Sequence, residues 1–288
     1  MEFPTGFCGS IRIDLMLEVL QFEFMRNALL AGLLASIACG VIGTFVVVNR
    51  IVFISGGIAH AAYGGIGLAF FFGFSPTIGI LGFSLLVSVV MAAVSLKTRN
   101  RADTVIGVLW AMGMALGVVL VDLTPGYNVD LMSYLFGSIL TVPASDLWLM
   151  LILNVLVILT VGYFYHDLVA LSYDDDFARV RGVPVKVLYF LLMAMIALSV
   201  VMIIQLVGLI LVIALLTIPP YIAEKFSRSL FSMMFYSVLL NLFFTSVGLF
   251  LSYSLNITSG ASIIMVGGVC FFISLLLGNF RPKKGPTP

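Results

Sequence analysis

Apolar residues fill this chain in long runs, and charged or turn-forming residues are confined to the gaps between them. Nine runs stand out, at residues 27–48, 55–72, 77–96, 104–121, 147–164, 187–204, 207–222, 229–252 and 261–277. About 20 apolar residues in helical form cross the hydrocarbon core of a bilayer, where a helix satisfies all its own backbone hydrogen bonds. The pattern therefore predicts an all-α, polytopic transmembrane bundle of about nine spans, with eight to ten compatible with the length. Residues 187–223 are apolar almost without interruption. As one helix they would reach about 55 Å, nearly twice the hydrocarbon thickness. The segment must fold back, and Gln205 with Gly208 is the predicted turn.

Composition agrees. Hydrophobic residues make up 62% of the 288 and charged residues 9%, against roughly 45–50% and 25% in soluble domains. A water-exposed surface cannot be built from so little charge. The net charge of +1 says less than its placement. Arg50, Lys97, Arg99, Arg101, Arg179, Arg181, Lys186, Lys225, Arg228, Arg281, Lys283 and Lys284 fall in alternate gaps, while residues 73–76, 122–146 and 255–260 hold no Lys or Arg. The positive-inside rule puts the first set in the cytoplasm. Nine spans then leave the N-terminus outside and the C-terminus inside. Residues 1–26 read as an extension in which 13–24 forms an interfacial helix, residues 27–280 as the membrane domain, and 281–288 as a cytoplasmic tail.

Three segments depart from plain lipid-spanning sequence. In the second run, Gly57, Ala61, Gly65 and Ala69 recur every four residues, and Gly56, His60 and Gly64 form the neighbouring ridge. Small residues at this spacing let helices approach closely in lipid, so His60 is expected to face protein. An ionisable side chain inside a span is a functional candidate, and imidazole is a common ligand of transition metals. The competing reading is a histidine that only bridges two helices. The second segment, residues 166–186, mixes charge with apolar residues. Asp174, Asp175 and Asp176 can cap and charge a short helix from Phe177 to about Arg181, with Gly182 ending it and Pro184 unable to continue it. Such a helix on the cytoplasmic face needs a surface to dock against. The third, residues 131–142 of an outside loop flanked by Asp122, Asp130 and Asp146, is too apolar for free loop and too short to span.

Cys8, Cys39 and Cys270 are isolated, which supports neither a disulfide framework nor a zinc site. A phosphate-binding loop, an HExxH helix, a nucleophile elbow and a dinucleotide fingerprint are all absent from the sequence. No ATP hydrolysis or covalent catalysis is expected of this chain, and no basic aromatic patch points to nucleic acid.

The string ISGGIAHAAYGGIGLAF, residues 54–70, resembles the second span of the permeases of zinc, manganese and iron ABC importers. The likeness continues through DTVIG at 103–107, YLFG at 134–137, YDDDFARVRG at 173–182 and VGLILVIALLTIPP at 207–220. It implies a permease subunit in the inner membrane of a prokaryote, paired with a second permease copy. It also implies two cytoplasmic ATPase subunits, an extracytoplasmic metal-binding protein and a metal path between the permeases. On that likeness His60 lies on the path, with Gly56, Gly57, Ala61, Gly64 and Gly65 packing beside it. Tyr173, Asp174, Asp175, Asp176, Phe177, Ala178, Arg179 and Gly182 belong to a coupling helix that meets the ATPase. Many relatives carry an aspartate at the position of Gly56, so one oxygen ligand is missing here. The expected cargo is zinc first and manganese or iron second, as transported substrate with no resident cofactor. The rival reading is a self-sufficient secondary metal transporter or channel. Such a protein would be expected to place paired carboxylates or matched broken helices in its spans.

Overall fold

The computed structural model describes residues 22–97, 102–125, 139 and 142–279, the side chains of residues 205–207, 210, 278 and 279 excepted. The elements among them are all helical. They are α1 (Glu23–Val48), α2 (Val52–Ala61), α3 (Tyr63–Phe72), α4 (Pro76–Lys97), α5 (Ala102–Asp122), α6 (Ala144–Tyr163), α7 (Tyr165–Tyr173) and α8 (Asp175–Val180). The segment Val185–Glu224 follows, divided into α9 (Val185–Ile204) and α10 (Leu211–Glu224), and then α11 (Leu230–Leu255) and α12 (Ser259–Asn279). Among the described residues, eight helices are long and apolar enough to cross a membrane, with α2 and α3 counted as one, and α10 is a shorter apolar helix. The expected features at 13–21, at 131–138, and in the 281–288 tail lie outside the described residues. Ile139 and Val142, from the apolar part of the 122–146 gap, are buried.

The long apolar segment does fold back. Within its helical backbone only Gly208 departs from helical angles, at φ 74° and ψ 177°. Its two ends return to one place. Val185 and Tyr189 share a cavity with Ser172 and Tyr173, and Tyr221 and Glu224 share a second cavity with the same two residues. A straight helix would hold those ends about 60 Å apart. A positive φ with extended ψ is open essentially to glycine alone. Replacing Gly208 with Ala is expected to destabilise the protein by about 1–3 kcal/mol, read as a lower melting temperature in detergent.

Close packing of small residues sets the rest. The α2–α3 rod is wedged between α4 and α5. Gly65 and Gly79 approach so tightly that neither has room for a methyl group, and Gly67 meets Gly117 in the same way. On the other flank of the bundle, α1 lies along α11 and α10. A methyl group on Gly43 would come within 2.6 Å of the Leu216 carbonyl oxygen, and one on Gly32 within 2.7 Å of the Thr245 methyl. In lipid, where burial of apolar area drives little, such close approach and the hydrogen bonds it permits hold helices together. Asn154 donates from Nδ2 to the Leu34 carbonyl at 2.9 Å, joining α6 to α1. Thr44 Oγ1 lies 3.4 Å from Ser237 Oγ, joining α1 to α11.

One end of the bundle collects most of the described basic residues, with Arg26 at the opposite end, near the start of α1. Asn49, just past α1, donates to Ser172 Oγ of α7 at 2.9 Å, and Tyr189 of α9 donates to Ser95 Oγ of α4 at 2.9 Å. Lys225 donates to the Ser274 carbonyl at 3.0 Å. Among the described residues, Arg50, Lys97, Arg179, Arg181, Lys186, Lys225 and Arg228 thus gather at this one end. Long apolar side chains cover the outer flanks, among them Val108, Met112 and Val119 on α5 and Ile152 and Leu159 on α6.

Candidate functional site

His60 sits in the last turn of α2, and its ridge behaves as the spacing predicts. Gly56, Gly57, Ala61, Gly64 and Gly65 are all buried. A methyl group on Gly57 would come within 2.8 Å of Ile106, and one on Gly64 within 2.8 Å of Phe83. The crossing with α5 is so close that a methyl group on Gly113 would lie 2.7 Å from the Ala61 backbone. His60 therefore faces protein, and it is half-buried.

Its neighbour is Trp110 of α5. The two rings stack with centroids 4.3 Å apart and planes 12° from parallel. Trp110 is itself held, since its Nε1 donates to Met114 Sδ at 3.2 Å and its ring packs on Phe53 at 5.8 Å. Stacking fixes the plane of the imidazole but leaves the in-plane nitrogens unoccupied. Nδ1 is buried and has no hydrogen-bond partner. The structure thus offers no bond through Nδ1 by which His60 would merely bridge two helices. Ile213 of α10 fills the space beside Gly56, 3.0 Å from where a Cβ would stand. The short returning helix therefore borders the same spot. Among the described residues no three His, Cys, Asp or Glu side chains come together as a metal cluster. The chain offers one imidazole at this point in the bundle.

Sequence reasoning did not single out Trp110. The available signal was a tryptophan, one of two in the chain, placed within a span rather than at a membrane interface, where tryptophans gather.

The second site is the loop at the basic end. Its first half is helical, as α7, and its second half is α8, which begins at Asp175, two residues before the expected start. Asp174 is the N-cap, its Oδ1 accepting from the Phe177 N–H at 2.9 Å and the Asp176 N–H at 3.1 Å. Arg179 pairs with Asp175 at 3.2 Å and with Asp176 at 3.4 Å. The three acids are thus engaged in capping and in pairing with Arg179, as the sequence pattern predicts for a charged helix start. Gly182, at φ +80°, ends the helix, and Arg181 lies over the Phe177 ring at 5.7 Å.

Ala178 is fully buried, so it anchors α8 to the bundle rather than presenting a surface. The apolar and aromatic side chains that turn outward are Tyr173, Phe177 and Val180, the last 88% exposed, beside the exposed charges of Asp176, Arg179 and Arg181. Val180 was not among the expected contact residues because one and a half helical turns carry too little periodicity to show which face turns out. Three apolar or aromatic side chains thus stand exposed beside a capped, salt-bridged turn.

Comparison with known proteins places this architecture. The chain is 53% identical over 91% of its length to an uncharacterized membrane protein of Synechocystis sp., of which the match covers 94%. It is 34% identical to the manganese import system permease protein ScaB of Streptococcus parasanguinis, covering 92% of this chain and 94% of that one. Its backbone superposes on the solved structure of PsaBC from Streptococcus pneumoniae in complex with Fab, with TM-score 0.82, 31% identity and coverage of 91% and 95%. The model of the ABC 3 transport family matches residues 21–278. This chain belongs to the ABC 3 transport family.

Proposed function

We propose that the chain is the permease subunit of an importer that moves a divalent transition metal into a prokaryotic cell across the inner membrane, driven by a separate ATPase. Membership of the family makes it a transport component rather than an enzyme. The sequence has no phosphate-binding loop of its own, so ATP hydrolysis falls to a partner. The observation that carries the coupling is the apolar, rigidly capped face of α8 at the basic end. Two ATPase subunits dock there, one on each of two permease copies, and an extracytoplasmic binding protein delivers metal at the opposite end. Closure of the ATPases on ATP moves α8, and through it α7 and α9, so that the path beside α2 opens to one side and then the other.

Manganese is the first cargo, on the naming of the relative from Streptococcus parasanguinis. Zinc is the second, and a specific feature favours it: the path offers an imidazole, with Gly56 where an oxygen ligand would suit manganese better. A path should hold its ion only in passing, which one nitrogen ligand per chain allows.

Two experiments test the reading. Co-expressed with its ATPase, the chain is expected to purify as a complex of two permeases and two ATPases. A chain that stays alone yet transports would be the secondary transporter instead. Orientation follows from cysteines placed at Ser145 and Asp176 in a background lacking the native three. An impermeant thiol reagent should reach the first only from outside and the second only from inside, whereas labelling of both from one side refutes the arrangement.

A further inference from the structure

A cavity of about 500 Å³ opens at the basic end, between the end of α1, α7, the end of α10 and the start of α11. Its cationic wall is Arg50 and Arg228, both exposed and neither in an ion pair with a described residue. Among the described residues Glu224 is the one acid that lines it, so their charges sum to a single positive charge. Val47, Val48 and Met233 form an apolar part, and the rings of Tyr173 and Tyr221 flank it. Ser229, the N-cap of the long helix α11, also opens into it, adding the partial positive charge of a helix N-terminus.

Arg50 is the unusual member. It closes α1 in a left-handed conformation, φ 56°, with its N–H bonded to the Val47 carbonyl and the Ile51 N–H to the Val46 carbonyl, both at 3.0 Å. This is the helix-ending turn that glycine fills most easily. A large cationic side chain at such a position costs backbone energy, and strain of that kind collects where a side chain has work to do. Nothing among the described residues uses the guanidinium.

We propose that this cavity binds the headgroup of an anionic phospholipid of the cytoplasmic leaflet. The inference rests on the orientation proposed above, which puts the basic end at that leaflet. A single net positive charge matches the single negative charge of a phosphodiester. Two guanidinium groups suit its oxygens, and Glu224 can accept from hydroxyls of a polyol headgroup. The valines and the methionine offer an apolar bed that a free inorganic ion would not need. Basic pockets between helices on the cytoplasmic side are a recurrent form of lipid site. Because Tyr173 lines the same cavity and borders α8, a bound lipid would brace the coupling segment.

The test uses the full chain, stripped of lipid in detergent, with its melting temperature followed as phosphatidylglycerol, phosphatidylcholine or inorganic phosphate is added. Phosphatidylglycerol is expected to raise the melting temperature, while phosphatidylcholine and phosphate leave it unchanged. Arg50→Gly relieves the backbone, so the variant should melt no lower than the wild type without lipid. It should also need about fivefold more phosphatidylglycerol for the same rise. Arg228→Gln should show the same lipid defect. Equal stabilisation by phosphatidylcholine, or by phosphate alone, overturns the proposal. So does an undiminished response in both variants. If phosphatidylglycerol has no effect while both variants lose the ATPase, the cavity receives an acidic protein segment and the lipid assignment is wrong.

Discussion

Replacing Val180 with Asp, or Phe177 with Ala, is expected to abolish most metal uptake while leaving the protein folded. Both side chains point away from the bundle, 88% and 53% exposed, so neither substitution opens a cavity. Surface changes of this kind move stability by about 0.5 kcal/mol or less. On the coupling reading they meet the ATPase, where a buried apolar anchor contributes about 2 kcal/mol or more to binding and a carboxylate among apolar groups is costly. The expected loss is at least about tenfold in uptake, with the ATPase either no longer co-purifying or hydrolysing ATP without transport. Substituting Ala178 would be uninformative, because that side chain is buried and a larger one would displace α8 itself. Normal assembly and uptake in both outward variants would remove α8 from the coupling path.

His60→Ala should cut uptake by at least about tenfold, in the range seen when a residue supporting a metal site is lost, with complex assembly unchanged. The informative partner is His60→Gln. If His60 only joined helices, Gln would restore function, since interhelical hydrogen bonds in membranes average about 0.6 kcal/mol. The structure argues against that role, because the buried Nδ1 has no partner to hand over. Gln is therefore expected to fail as Ala does, for manganese and for zinc. Full transport by His60→Gln would make His60 a packing residue.

Much of this architecture was legible along the chain because the physics of lipid is simple. Run length predicted the spans, and the excess length of residues 187–223 required the reversal found at Gly208. The four-residue spacing of Gly57, Ala61 and Gly65 predicted the buried ridge of α2–α3. Other features were hidden for identifiable reasons. The α7 helix mixes buried Leu168 and Leu171 with charged and polar neighbours, so it read as loop beside the apolar runs. The stack of His60 on Trp110 joins two helices separated by α3 and α4, and no local pattern reports it. The outward turn of Val180 depends on how α8 is docked by Ala178. Cargo is harder still, since one imidazole is compatible with several metals.

If metal moves through this chain only when a separate ATPase drives it, uptake of radioactive manganese into sealed proteoliposomes shows it. With the permease, its ATPase, the metal-loaded binding protein on the outer-loop side and ATP on the basic side, metal should accumulate against its gradient. Accumulation should stop when ATP is replaced by a non-hydrolysable analogue or when the ATPase is omitted. Equal accumulation by the chain alone, without ATP, would contradict the account.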